Sequence, residues 1–204
     1  ILEIGSGIGN ISKCFIDAGK NISLSDIREN YLQHLKNNYG KSPSVKSIFN
    51  LDLVHPDFKN KYADVLNSYD GIFALNVIEH IKDDELALHN SFSLLKQGGT
   101  LLILVPANAW MYNGLDKDLH HYRRYSLKEL KRKIVGTGLQ TQSAFFFNAL
   151  GSAGWIFSGL IMKRKIISAG QMSAFNMMVP VARIIDKVLQ RHFGLSVIIV
   201  AKKM

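Results

Sequence analysis

The sequence predicts an α/β protein with a doubly wound, mostly parallel sheet, an antiparallel last strand and a helical insertion before that strand. Three observations carry this expectation. Short apolar runs alternate with amphipathic stretches through the first half of the chain, as in successive βαβ units. The first apolar run feeds directly into a glycine-rich turn, Gly5-Ser6-Gly7-Ile8-Gly9, and a helical pattern follows it. Between the last two strand-like runs lie residues 148–194, too many for a hairpin loop and apolar enough to hold helices.

Taken in order, strands are expected at residues 1–4, 21–25, 47–49, 69–75 and 99–105, with helices at 11–18, 29–38 and 84–95 between them. Gly19, Gly40 and Gly98 stand where those helices should stop, since glycine accepts the left-handed backbone of a helix end. A Lys96-Gln97-Gly98-Gly99 turn leads into Leu101–Val105, an unbroken apolar run suited to a buried parallel strand. Ser126 and Glu129 have the spacing of a capping box, which starts a helix over 127–135. Strands follow at 139–147 and 195–201.

At 204 residues the chain reads as one domain, 1–204, with 148–194 as its apolar helical insertion. It begins inside a strand, at Ile1, so further residues are expected upstream. The single cysteine, Cys14, excludes an internal disulfide and a cysteine-based zinc site, and no metal ligands are assigned. Lying in a helix, Cys14 is expected to be a buried, reduced thiol, which makes the cytoplasm the expected compartment. Charge is uneven. Residues 1–102 carry a net −2 and residues 103–204 a net +11, so the second half is expected either to meet something anionic or to present a solvated basic face.

The glycine-rich turn carries the chemistry. Without Cβ atoms the backbone can approach a ligand closely, and the N–H groups of the helix start face it. A dinucleotide fingerprint would read G-x-G-x-x-G, but position ten is Asn10. The G-x-G-x-G spacing, with Glu3 two residues before the first glycine, resembles motif I of class I S-adenosylmethionine-dependent methyltransferases, which have a Rossmann-like fold. The segment Asn76-Val77-Ile78-Glu79-His80-Ile81 resembles that family's post-strand-four stretch. His121-Tyr122-Arg123-Arg124-Tyr125-Ser126 resembles a box of its type 11/12-like subgroup, with His120 where that box usually has glycine.

The resemblance implies a methyltransferase with S-adenosylmethionine as cofactor and S-adenosylhomocysteine as product. It implies cofactor contacts from Glu3, Gly5, Gly7, Gly9, Asp26, Ile27, Asp52, Leu53, Asn76 and Val77. Asp26 suits ribose hydroxyls, or else a helix cap, and Asp52 suits adenine, or else a loop turn. His121 and His80 are the candidate catalytic bases, and His80 reads equally as a structural histidine. Tyr112, Arg123, Arg124 and Tyr125 are the candidate substrate contacts. The alternative for the two arginines is that they pair with Asp116 and Asp118 and pin the loop.

Residues 144–162 carry no charge and are followed by Lys163-Arg164-Lys165. Within them, 150–162 reads as a helix lying at a membrane interface, as a lid, or as an oligomer contact. The resulting expectation is O-methylation of a small lipid- or glycan-related acceptor. The protein would be cytoplasmic, with peripheral attachment to an anionic membrane face as an option. A nucleic-acid methyltransferase and a non-catalytic S-adenosylmethionine-binding module are the alternatives; the first is disfavoured because Asn76-Val77-Ile78-Glu79 lacks the Asn/Asp-Pro-Pro-aromatic pattern of amino-methylating enzymes.

Overall fold

The computed structural model describes residues 1–161, 179, 180, 182, 184, 186–189 and 192–204. Strands β1 (Leu2–Ile4), β2 (Ile22–Asp26), β3 (Val45–Asn50), β4 (Tyr69–Leu75) and β5 (Leu95–Pro106) alternate with helices α1 (Asn10–Asp17), α2 (Glu29–Tyr39), α3 (Phe58–Lys61) and α4 (Asp84–Leu94). Then come α5 (Gly114–Asp118), α6 (Leu127–Gly136), β6 (Leu139–Phe147), α7 (Ala149–Trp155) and β7 (Ser196–Lys203). The sheet order is β3-β2-β1-β4-β5-β7-β6. Strands β1 to β5 pair in parallel, and β7 runs antiparallel to both β5 and β6. The doubly wound sheet and its antiparallel last strand are therefore as expected.

Burial explains the pattern. Leu101, Ile103 and Val105 of β5 and Val197, Ile199 and Ala201 of β7 are fully buried, and Ile103 lies opposite Ile199. Each strand buries alternate residues on one face, which holds the register because a one-residue slip would turn them outward. All five residues of β2 are buried, as befits a parallel strand covered on both sides.

Two local expectations are corrected. The Lys96–Gly99 turn lies within β5 as a bulge: Tyr69 pairs with Leu95 and Gly71 with Thr100. Gly98 there has φ 78°, and a Cβ on Gly99 would stand 2.8 Å from the Lys96 carbonyl oxygen. Cys14 is exposed, because α1 turns Ser12, Phe15 and Ile16 toward the sheet, and Phe15 stacks on Phe73 with ring centroids 5.0 Å apart.

The insertion begins with α7 and a π-helical stretch, Ile156–Ile161. Trp155 points inward beside Met111 and Leu115, and its Nε1 donates to the Met111 carbonyl at 3.3 Å. Asp186 accepts from the Asn148 and Ala149 amides and so caps α7. This packing seats 149–155 against the segment that carries Met111 and Leu115. Lys163-Arg164-Lys165 lies outside the described residues.

Strand order reverses between β1 and β4. In open α/β sheets such a switch point opens a crevice at the carboxyl ends of the strands. The glycine turn leaves β1 there, and Asn76-Val77 leaves β4.

Candidate active site

Gly5, Gly7 and Gly9 have φ of 72°, 55° and 86°, the left-handed region that disfavours side chains. Each has a different neighbour. A Cβ on Gly5 would meet Val77 Cγ2 at 2.5 Å, and one on Gly9 would meet Tyr39 Cε2 at 2.4 Å, so these two glycines allow close packing. A Cβ on Gly7 would meet nothing within 4 Å. That open space belongs to a cleft of about 310 Å³ lined by residues that include Glu3, Gly5, Gly7, Asn10, Tyr31 and Leu75.

The turn is braced from β2. Asp26, 4% exposed, accepts the Gly7 amide at 3.0 Å and the Arg28 amide at 2.9 Å. The Ser6 amide donates to the Ser25 carbonyl at 2.8 Å, and Ser25 Oγ donates to the Glu3 carbonyl at 2.9 Å. Glu3 is buried and accepts a hydrogen bond from the Ser12 hydroxyl. Burial raises its carboxyl above the ordinary range, against the Ser12 and Ser6 hydroxyls.

The remaining cofactor candidates stand apart from the cleft lining. Asp52 Oδ1 accepts from the Val54 amide at 2.9 Å, the loop-turn geometry that was its alternative. Leu53 is 3% exposed and belongs to the main core, while Ile27 is 59% exposed. Asn76 has φ 54°, and Val77 packs on Gly5.

Beyond Val77 lies a second cleft, about 330 Å³, lined by His80, His120, His121 and Tyr122. Nδ1 of His121 is 2.9 Å from Asp116 Oδ1, which fixes the ring and leaves Nε2 toward Glu79 Oε1 at 4.0 Å. Asp116 is fully buried. Burial favours its neutral form, but hydrogen bonds from His121 and Arg124 hold it below the usual carboxylate range. His80 sits edge-on to His121, ring centroids 4.8 Å apart, with Nδ1 3.3 Å from the His120 carbonyl oxygen. Burial and the nearby His121 lower its pKa. His120 has φ 59°, the left-handed region that glycine adopts most readily.

The side chains of the box, expected as substrate contacts, are engaged within the protein. Arg124 is 3% exposed; its Nε donates to both oxygens of Asp116, at 2.8 and 3.0 Å, and its Nη1 to the Ala107 carbonyl at 3.1 Å. Its guanidinium lies 4.4 Å over the Trp155 ring. Tyr125 is fully buried, and its hydroxyl donates to Asp84 Oδ2 at 2.8 Å. Arg123 pairs with Asp84 at 3.0 Å and donates to the Lys82 carbonyl at 2.7 Å. Tyr112 donates to the His121 carbonyl at 2.8 Å. The box therefore pins the loop, through Asp116 as expected and through Asp84, forty residues upstream, in place of Asp118.

Glu79 had no expected role, and Asp116 was expected only as a partner of the arginines. Glu79 is fully buried, and neither carboxylate oxygen has a hydrogen-bond partner among the described residues. Burial pushes its pKa up to about 8. Asp116 orients His121 and closes a capping box with Asn113 at the start of α5. The Asn113-x-x-Asp116 spacing is a signal that could have marked that short helix.

A family model described as "Methyltransferase domain" matches residues 2–103, half of the chain. The chain is 28% identical over 133 residues to a probable polyketide synthase of Dictyostelium discoideum; the match covers 55% of this chain but only 5% of that much longer protein. It is 23% identical over 163 residues to a ubiquinone biosynthesis O-methyltransferase of Chromobacterium violaceum, covering 72% of this chain and 68% of the relative. Among solved structures it resembles phosphoethanolamine N-methyltransferase 2 of Haemonchus contortus in complex with S-adenosyl-L-methionine. The TM-score is 0.64 at 18% identity, covering 99% of this chain and 48% of the other.

Proposed function

This chain belongs to the methyltransferase domain family and is an S-adenosylmethionine-dependent methyltransferase, and we propose that it O-methylates a small, lipid- or glycan-related acceptor presented at the histidine cleft. The observation that carries this reading is the Asp116–His121 pair at 2.9 Å: a buried carboxylate orients an imidazole in the wall of a cleft that opens three residues after Val77, which touches the glycine turn.

The residues of the first cleft fit the cofactor. Its volume of about 310 Å³ lies in the range of small-molecule sites, and Gly7 supplies a cradle that any side chain would fill. Glu3, Gly5, Gly7 and the start of α1 would hold the amino-acid end, with Asp26 bracing the turn and offering its remaining lone pairs to ribose. S-adenosylmethionine supplies an already activated, electrophilic methyl group, so the protein needs alignment more than a covalent intermediate.

On the acceptor side, His121 takes the proton of the attacking hydroxyl. Asp116 holds its Nδ1–H, so Nε2 is the accepting nitrogen. The similarity to an O-methyltransferase supports oxygen as the methylated atom. Exposed Tyr122 in the wall of this cleft and exposed Leu119 next to His120, with the net +11 of residues 103–204, support an acceptor with apolar and anionic parts. No helix among the described residues is long and apolar enough to cross a membrane.

The test is a calorimetric titration with S-adenosylmethionine followed by acceptor screening. The unsubstituted protein should bind the cofactor, and His121→Gln should bind it equally while kcat on the acceptor falls by roughly 10²-fold. Normal turnover by His121→Gln would remove it as the base, and absence of cofactor binding would leave only a retained fold.

A further inference from the structure

We propose that Glu79, His80 and His121 form a binding site for one divalent transition-metal ion, of the zinc type, in the wall of the histidine cleft. One ligand atom from each of the three lies within 4.8 Å of the other two.

Glu79 is isolated in the interior. A carboxyl group buried without a hydrogen-bond partner costs free energy in either protonation state, and a fold normally avoids it. Glu79 is fully buried, both of its oxygens lack a hydrogen-bond partner among the described residues, and Oε1 faces His121 Nε2 at 4.0 Å. A cation at that point gives the carboxylate its missing counterpart.

The two imidazoles are held as metal ligands are. Histidines that bind metals usually donate their other ring N–H to a carboxylate or a backbone carbonyl. Here His121 Nδ1 meets Asp116 at 2.9 Å and His80 Nδ1 meets the His120 carbonyl at 3.3 Å. Both rings then keep the Nε2 lone pair for a metal. The left-handed backbone at His120 is part of the turn that presents this carbonyl.

Two imidazoles and one carboxylate suit zinc and its transition-metal neighbours, whereas calcium and magnesium prefer oxygen ligands. Metal–ligand bonds of about 2.1 Å in a tetrahedron place ligand atoms about 3.4 Å apart, so the side chains need to close by up to about 1.4 Å. Three protein ligands leave a fourth position open, the arrangement of catalytic sites, and the 330 Å³ cleft borders it.

An acceptor hydroxyl in that fourth position would form a metal–oxygen bond, and its O–H bond would break with the proton leaving to water. His121 would then be a ligand, and the cation would do the work assigned to the imidazole in the metal-free protein. This consequence rests on the cleft being the acceptor site; the metal site itself does not.

The experiment uses the full chain, stripped of metal by chelation and titrated with Zn²⁺ by calorimetry, with a chromophoric chelator as competitor. The expected result is one Zn²⁺ per chain, with affinity lowered at least about 10–100-fold in Glu79→Gln and in His121→Gln. Glu79→Gln removes no hydrogen bond found among the described residues, and retained S-adenosylmethionine binding checks that each variant is folded. X-ray absorption at the zinc edge should show nitrogen and oxygen ligands with two imidazoles. Failure to bind Zn²⁺ stoichiometrically, or equal binding by both folded variants, overturns the proposal. Cofactor binding without zinc overturns the metal site and leaves the methyltransferase reading intact; zinc binding without cofactor does the reverse.

Discussion

Replacing Arg124 with alanine distinguishes a loop pin from a substrate contact. The side chain is 1% exposed, and its Nε gives Asp116 contacts of 2.8 and 3.0 Å while Nη1 holds the Ala107 carbonyl. Removing it strands a buried carboxylate with only His121 and the Asn113 amide as donors, and it removes the cation from the Trp155 ring. Deleting one member of a buried pair costs about 3–5 kcal/mol. A domain of this size loses about 2–4 °C of Tm per kcal/mol, so Arg124→Ala should melt about 6–20 °C lower. Arg123, whose side chain is 29% exposed, is the control: its more solvated pair contributes about 1 kcal/mol or less, a shift under about 4 °C. Scanning fluorimetry without any acceptor measures both. If Arg124→Ala melts within about 2 °C of the unsubstituted protein, the pin argument fails and the guanidinium returns to the list of substrate contacts.

Gly7→Val should abolish S-adenosylmethionine binding in a calorimetric titration while lowering Tm only modestly, because its side chain enters the cleft and strains a φ of 55°. Gly9→Val should lower Tm more, since its Cβ stands 2.4 Å from Tyr39. For Asp84, 2% exposed, burial favours the neutral acid, but Lys133, Tyr125 and Arg123 hold its pKa below the ordinary value. Its stabilising contribution is therefore complete above the unfolded-state pKa, about 4, and is lost as pH falls through the lower folded value. Tm measured from pH 7 to pH 3 should fall more steeply for the unsubstituted protein than for Asp84→Asn; parallel curves would refute that share of acid sensitivity. If the basic second half meets a membrane, the protein should sediment with anionic vesicles at low salt and be released at high salt, with neutral vesicles leaving it in the supernatant.

The local features were legible in the sequence because they depend on near neighbours. Period-two and apolar runs located β4 at Tyr69–Leu75 and β6 at Leu139–Phe147 with the expected bounds. Ser126 marked the start of α6 through its own side chain, which accepts the Glu129 amide. The glycine turn was legible for the same reason: a positive φ is a property of one residue, and glycine advertises it. The tertiary structure decided which distant group meets which. Arg124 and Arg123 carry the same charge in adjacent positions, yet one is buried against Asp116 and the other reaches Asp84 from a half-exposed site. Cys14 faces solvent because helix phase alone does not say which side meets the sheet. The isolation of Glu79 is the clearest case. Its neighbours in sequence are ordinary, and it is buried only where the segment carrying His121 and Tyr122 folds across it, the Tyr122 amide donating to the Glu79 carbonyl at 2.8 Å. Burial and partner choice arise from contacts tens of residues apart, and spacing along the chain does not encode them.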